Sequence, residues 1–400
     1  MIFEMGNFLT SKESLEFLKN RFKEYYEKNT IDLPDRFGRR EFAFLLFEGK
    51  GMIRHIGFEK KLQFSKFVND KTPCHAYYSS AFYKTPNAPT MQEKNWMGAE
   101  LIFDLDSDHL PNADKLSYSQ QLDAVKKEFI KLVNDFLIGD FGFNEKYIDL
   151  YFSGGRGYHC HITDPNIFTL DSGERREIVD YITGRDLKDS IVFHEQATGK
   201  KSYGRRQYPS GKALKMPKPD EPGWRGRISK GIIDIVYEIK KSDDPIEKLK
   251  EYGVNRSDAE KLLEDLSEDR MDRIKEGNLD QSKMIRKFFL NNALRKTAVT
   301  MSAGETDEPV TCDVKRLIRL PDSLHGKTGF KVVKIELDKL KDFNPLSEAV
   351  VFSEDAVKID VKSKFEIDMK GQSFNLESGE QEVPIYLAVF LIARKIANII

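Results

Sequence analysis

The chain has 400 residues, 40% of them apolar, with 28 Phe and 15 Tyr, and 64 Lys+Arg against 65 Asp+Glu. That aromatic content excludes a disordered chain, and the near-zero net charge excludes a uniformly basic nucleic-acid binder while leaving room for a local basic surface. Cys74, Cys160 and Cys312 are far apart and no CxxC occurs, which excludes a disulfide scaffold and a four-cysteine zinc site. No apolar run approaches the roughly 18 residues of a membrane span, and the first residues show no basic-then-apolar leader pattern, so a soluble, intracellular protein is expected.

In chain order, Thr10 and Glu13 suggest a capping box, and Leu15, Leu18, Phe22, Tyr25 and Tyr26 follow at helical spacing. Two apolar runs, 41–47 and 52–58, flank Gly-Lys-Gly and read as a β-hairpin. A polar loop over 84–96 leads into an apolar strand, 99–106, that ends in carboxylates. A helix is expected over 124–137, then strands over 147–152 and 158–162 around a glycine turn. From Lys200 to Lys230, ten Lys/Arg face only Asp220 and Glu221, a local charge of +8, with Tyr203, Tyr208 and Trp224 interleaved. This stretch fits either a backbone-tracking surface for nucleic acid, with aromatics stacking on bases, or a solvated basic loop. Residues 244–295 read as charged helices, and 384–400 as an apolar helix. The pattern predicts an α+β protein with a mixed or antiparallel sheet core flanked by helices. That core is formed by 1–230 and 296–400, and 231–295 is a charged helical insertion or subdomain.

Three constellations could carry chemistry. In Leu101-Ile102-Phe103-Asp104-Leu105-Asp106, strand alternation puts Asp104 and Asp106 on one face, their Cα atoms roughly 6.5–7 Å apart. Two carboxylates so placed repel unless a cation lies between them, and all-oxygen ligation suits Mg²⁺ or Mn²⁺. A strand end with solvated acids is the plainer alternative. In Ser153-Gly154-Gly155-Arg156-Gly157-Tyr158-His159, the glycines let backbone N–H groups approach an anion, and Arg156 offers a bidentate fork for phosphate. His159 and His161 share a face of the next strand, with His161 the more structural of the two. In the third, running from Cys312 to Gly329, Asp313 opens an apolar strand and could complete a carboxylate trio, while His325 and Lys327 sit in a glycine-containing loop like phosphate ligands. Acids for metal and cations for a triphosphate thus fall on strand–loop junctions.

The segments WMGAELIFDLDSD, SGGRGYH and DVKRLIRLPDSLHGKTGF, in that order, resemble the catalytic small subunit of archaeal and eukaryotic DNA primase. EFAFLLFEGKGMIRHIGF, YYSSAFY, GWRGRI and VPIYLAVFLIARK extend the resemblance over nearly the whole chain, with its weakest part at 231–300. The resemblance implies a nucleotidyltransferase that makes short RNA primers from NTPs on single-stranded DNA during replication, and that can also extend with dNTPs. It makes Asp104, Asp106 and Asp313 the catalytic metal-binding aspartates for Mg²⁺ or Mn²⁺. Ser153, Arg156, His159, His325 and Lys327 become the nucleotide-binding residues. It further implies a heterodimer with a primase large subunit, in the cytoplasm of an archaeal-type cell, in a nucleoid-associated replication complex. Two departures stand out. The Cys/His zinc knuckle usual in archaeal members is missing, since only His109 lies between Asp106 and Ser153, so no structural zinc is expected. Asp322 stands where the family usually has Gly, and it could either weaken triphosphate binding or point away.

Two other readings compete. A phosphatase of haloacid-dehalogenase type also begins with an apolar strand and DxD, but it would leave the glycine–arginine and His-Gly-Lys motifs unexplained. A non-catalytic nucleic-acid-binding subunit would gain nothing from carboxylates placed near phosphates.

Overall fold

A computed structural model describes residues 11–110, 113–279, 283–301 and 310–400. The chain divides into two compact units, one comprising the residues up to 138, 142–179 and those from 300 onward, the other 139–141 and 180–299. The expected insertion at 231–295 lies inside the second unit, which also takes in 180–230.

The first unit is built on two four-stranded antiparallel sheets, so the α+β class is observed. One sheet has the order Leu317–Arg319, Pro73–Ser79, Phe42–Leu46, Ile53–Ile56. The expected hairpin provides its last two strands. Phe42, Phe44, Phe58, Phe64 and Phe67 interlock beneath them with ring centroids 4.7–6.3 Å apart, within the range of favourable aromatic pairs. The other sheet has the order Val333–Ile335, Ile148–Phe152, Gly157–Ile162, Leu101–Asp106. Helix Tyr118–Lys131 covers it, stacking Phe129 on Tyr158 at 5.3 Å. A capping box between Ser117 and Gln120 starts this helix, which continues as a π-helix over Leu132–Asp140.

Buried charge joins the two sheets. Arg40, fully buried, donates to the carbonyls of Asp35, Ser79 and Ser80 and to the Glu100 carboxylate. Arg175, also buried, donates to the carbonyls of Ala99 and Glu100 at 2.9 and 2.8 Å. The chain entering the Leu101–Asp106 strand is therefore held on its side-chain and main-chain groups at once. Beside it, Lys94 donates to Glu41 at 2.6 Å and Arg54 donates to the same carboxylate at 3.0 Å.

Several details differ from expectation. Ser11, not Thr10, caps the first helix, Lys12–Lys28, by accepting the Ser14 N–H; Thr10 lies outside the described residues. Asp313 does not open a strand: it lies in a turn after Val310–Cys312, and the strand begins at Leu317. The C-terminal apolar helix ends at Ala393, and Ala397–Ile399 returns as a strand paired with Ala356–Val361. No described helix is long and apolar enough to cross a membrane.

In the second unit, His194–Tyr203 and Arg206–Lys215 form an antiparallel ribbon, followed by helices Gly223–Lys241, Pro245–Glu251, Arg256–Asp265, Glu268–Lys275 and Lys283–Thr297.

Breaking the Arg40–Glu100 pair tests the frame. Arg40→Ala leaves a buried carboxylate without its partner and should cost about 3–5 kcal/mol in denaturant unfolding. A loss below about 1 kcal/mol would show that the pair is not what fixes this junction.

Candidate active site

The strand Leu101–Asp106 alternates as expected: Leu101, Phe103 and Leu105 are buried, while Asp104 and Asp106 are partly exposed on the other face. Its antiparallel neighbour sets Asp104 opposite His159 and Asp106 opposite Gly157. Gly157 has to be glycine, because a Cβ there would lie 2.3 Å from the Leu105 carbonyl oxygen. His159 Nε2 is 3.2 Å from Asp104 Oδ1, and its buried Nδ1 has no hydrogen-bond partner among the described residues. Burial first, and the Asp104 carboxylate next, raise the Asp106 pKa; the Asp108 N–H and Arg156 oppose them. The two acids crowd one another, as sites for hard cations do.

The glycine turn is held from inside. Ser153 Oγ accepts the N–H groups of Gly155 and Gly157, both at 3.2 Å, so Ser153 shapes the turn. Gly154 has φ +76°, and a Cβ on it would come within 2.9 Å of His325 Cβ. Thr328 Oγ1 donates to the Gly154 carbonyl at 2.6 Å, and Tyr118 donates to that of Gly155 at 2.6 Å. The structure thus brings the SGGRG turn and the HGKTG loop together, although about 170 residues separate them in sequence.

His325 is buried with its ring 4.9 Å from that of His75, edge to face. Burial, followed by Arg319, His75, Lys327 and Arg156, holds the His325 pKa well below the usual histidine value. His325 Nδ1 accepts the Lys327 N–H at 3.3 Å, so the ring is neutral with its proton on Nε2, facing Gly155. His75 is likewise kept neutral, by burial, Arg319 and Lys327, and its Nδ1 accepts the Gly326 N–H at 3.2 Å with Arg319 at 2.6 Å. Arg156 pairs with Asp108 at 2.6 Å, and Lys327 is exposed. Two neutral imidazoles thus sit within the field of Arg156, Arg319 and Lys327, a setting that suits a phosphate chain. His75, Arg319, Thr328 and Tyr118 belong to this assembly, and the sequence alone offered no local signal for them.

Asp313 lies in the turn beside the carboxylate strand, its Oδ1 accepting the Lys315 N–H at 2.9 Å. Trp96 donates to the carbonyl of the adjacent Val314 at 3.3 Å. Among the described residues, no three His, Cys, Asp or Glu side chains converge at metal-binding distance. Asp104 and Asp106 share one face of their strand, and Asp313 lies in the turn next to that strand. His161 is buried, its Nδ1 3.1 Å from the Tyr78 hydroxyl, in keeping with a structural role. Asp322 adopts φ +59°, a conformation in which glycine is favoured. Its carboxylate accepts the Asp32 N–H at 3.4 Å and lies 3.5 Å from Lys331 Nζ.

A sequence profile described as the DNA primase small subunit matches residues 103–337, which include both loops and the two acids Asp104 and Asp106. The chain belongs to the DNA primase small subunit family. It is 42% identical to the DNA primase small subunit of Methanococcoides burtonii over 96% of this chain and 97% of that one. It is also 42% identical to that of Methanosarcina acetivorans, over 97% of both chains. With the Thermoplasma volcanium small subunit it shares 37% identity over 95% of this chain and 96% of the other.

The raised Asp106 pKa makes a signed prediction. The native state holds this proton more tightly than the unfolded chain does. The stability penalty is therefore present above the raised pKa and fades as pH falls through it. In chelator-containing buffer, Asp106→Asn should unfold at the same temperature as the wild type or higher at neutral pH, with the difference shrinking toward about pH 4. Asp104, Asp108 and Arg156 face this group, and Asn keeps the Oδ1 that accepts the Asp108 N–H. A variant markedly less stable at neutral pH would contradict the repulsion.

Proposed function

We propose that this chain is the catalytic subunit of a DNA primase, joining NTPs into short RNA primers on single-stranded DNA and also extending with dNTPs. The observation that carries the reading is the Asp104–Asp106 pair standing across from His159, in the unit where the two glycine loops meet under Arg156, Arg319 and Lys327.

The site chemistry fits nucleotidyl transfer. Asp104 and Asp106 offer oxygen ligands on one face, and their mutual repulsion favours a divalent cation there. Asp313, on the adjoining turn, would complete the set. When bound, two Mg²⁺ or Mn²⁺ ions would stabilise charge on the attacking 3′-oxygen and on the leaving pyrophosphate. The chain's own groups orient the triphosphate: Lys327 as a point charge, Arg156 as a fork once released from Asp108, and His325 as a neutral Nε2–H donor. His159 stands across from Asp104 on the neighbouring strand, where its Nε2 can orient that carboxylate beside the nucleotide. The backbone N–H groups that the Ser153 hydroxyl gathers fix the turn beside them. No covalent nucleophile is needed, because positioning and electrostatics carry the reaction.

The relatives' name, DNA primase small subunit, supports a heterodimer with a primase large subunit and a DNA template, and the template in this reading is single-stranded. A cytoplasmic, nucleoid-associated replication complex of an archaeal-type cell accompanies this reading. We further propose that no structural zinc is present. A tetrahedral zinc site needs about four N/S ligands, whereas Cys74, Cys160 and Cys312 are spread along the chain and only His109 falls between Asp106 and Ser153. One tightly held zinc per purified chain, by elemental analysis, would refute this.

The central test is primer synthesis from NTPs on a single-stranded template. Activity should need Mg²⁺ or Mn²⁺ and vanish with chelator, and Asp104→Asn should abolish it. Lys327→Ala removes one charge-assisted contact and should lower kcat/KM about tenfold to a hundredfold, partly through KM. Near-normal synthesis by Asp104→Asn would overturn the metal assignment. An unchanged nucleotide KM in Lys327→Ala would take the loop out of the triphosphate site.

A further inference from the structure

The basic stretch noted in the sequence resolves into two different things. Trp224 is buried in helix Gly223–Lys241, its Nε1–H donating to the Tyr181 carbonyl at 2.9 Å, and it is not available to a ligand. The ribbon His194–Tyr203/Arg206–Lys215 is the opposite case. Tyr203 is 73% exposed and Tyr208 48%. A third strand, Asn278–Leu279, pairs only at Leu214 and Lys215, leaving the other end of the ribbon two-stranded among the described residues. A two-stranded ribbon gains little stability by itself, so large rings left in water at its end are not explained by folding.

Register and alternation put the aromatic groups together. Tyr203 is paired across the strands with Arg206, and Tyr208 with Lys201. In an antiparallel pair, residues directly opposite share a face, as do residues two apart, so both tyrosines and Arg206 lie on one face. The ring centroids are 6.5 Å apart at 68°. Arg205 lies in the tight turn after Gly204, whose φ is +60°. Residues 194–215 hold six Lys/Arg and one acid, Glu195, a net charge of +5 in a chain whose total is −1. Lys200, Arg205 and Arg206 are exposed, and none of them makes an ion pair among the described residues.

We propose that the tip of this ribbon is a binding site for single-stranded DNA, with Tyr203 and Tyr208 stacking on bases and Arg205 and Arg206 neutralising the phosphates beside them. Aromatic faces stack only on bases that are not already stacked within a duplex, and alternating rings and cations match the repeat of base and phosphate along one strand. This rests on the primase reading in one respect: that reading supplies a single-stranded template for the ribbon to hold.

The test measures binding of a fluorescein-labelled oligo(dT) to the full chain by anisotropy, without nucleotide. Tyr203→Ala with Tyr208→Ala should weaken binding about tenfold or more, and Phe at both positions should restore it, since Phe keeps the ring. Arg205→Ala with Arg206→Ala should weaken binding and reduce the slope of log affinity against log salt by about 1.4, near 0.7 per lost phosphate contact on a single strand. All four side chains are exposed, and an unchanged melting temperature checks that each variant folds. Tight binding by the double-Ala tyrosine variant would overturn the proposal, as would an equal loss of affinity for duplex DNA. If the tyrosine variant loses oligo(dT) but the wild type makes no primer, the ribbon site stands and the primase reading fails. If the wild type makes primers and the ribbon variants bind oligo(dT) normally, the ribbon proposal alone falls.

Discussion

The Arg40 guanidinium, fully buried between the two sheets of the first unit, is the contact on which the candidate site depends. Burying a charge is costly unless it is paired and hydrogen-bonded, and Arg40 donates to three carbonyls and to the Glu100 carboxylate. The rings of Tyr78 and Phe82 close over its guanidinium at 5.1 and 4.3 Å. Because Glu100 immediately precedes the carboxylate strand, this pair and the Arg175 contacts to Ala99 and Glu100 fix where that strand begins. From that point the pleat alone determines that Asp104 and Asp106 leave on the same face. The anchoring has a cost of its own: Glu100 keeps a raised pKa because burial outweighs Arg40, and its Oε2 has no hydrogen-bond partner among the described residues. A strand held this rigidly can carry two like charges that would otherwise move apart.

The opposite sign of charge is arranged with the same economy. His75 and His325 are neutral, so they contribute N–H and lone-pair geometry without adding charge, and the positive field comes from Arg156, Arg319 and Lys327. The Arg156–Asp108 pair is half-exposed, and such pairs are weak, so little holds the guanidinium to that one partner. Thr328 ties the HGKTG loop to the glycine turn at the Gly154 carbonyl, and Tyr118, from the covering helix, holds the same turn at the Gly155 carbonyl.

Much of this was legible in the sequence where the cause is local. The hairpin follows from apolar runs around Gly-Lys-Gly, the shared face of Asp104 and Asp106 from strand period, and the α+β class from mixed periodicities. What stayed hidden depends on contacts distant in sequence. His75 binds Gly326 across 251 positions, and Thr328 reaches Gly154 across 174. Asp313 has a strand-like neighbourhood but sits in a turn, because the Val310 and Asp313 carbonyls accept hydrogen bonds three residues on. Asp322 occupies a left-handed position, and only the structure shows its carboxylate directed at Asp32 and Lys331. Trp224 and Tyr203 look equivalent in a basic stretch, and burial separates them.

The claim that most needs a direct measurement is that the crowded carboxylates hold a divalent cation independently of any catalytic turnover. Titration of the full chain with Mn²⁺, following free Mn²⁺ by electron paramagnetic resonance, isolates it. The wild type should show saturable binding, and the double variant Asp104→Asn with Asp106→Asn should lose it while melting at the same or a higher temperature. Saturable Mn²⁺ binding of undiminished affinity in the double variant would contradict the assignment.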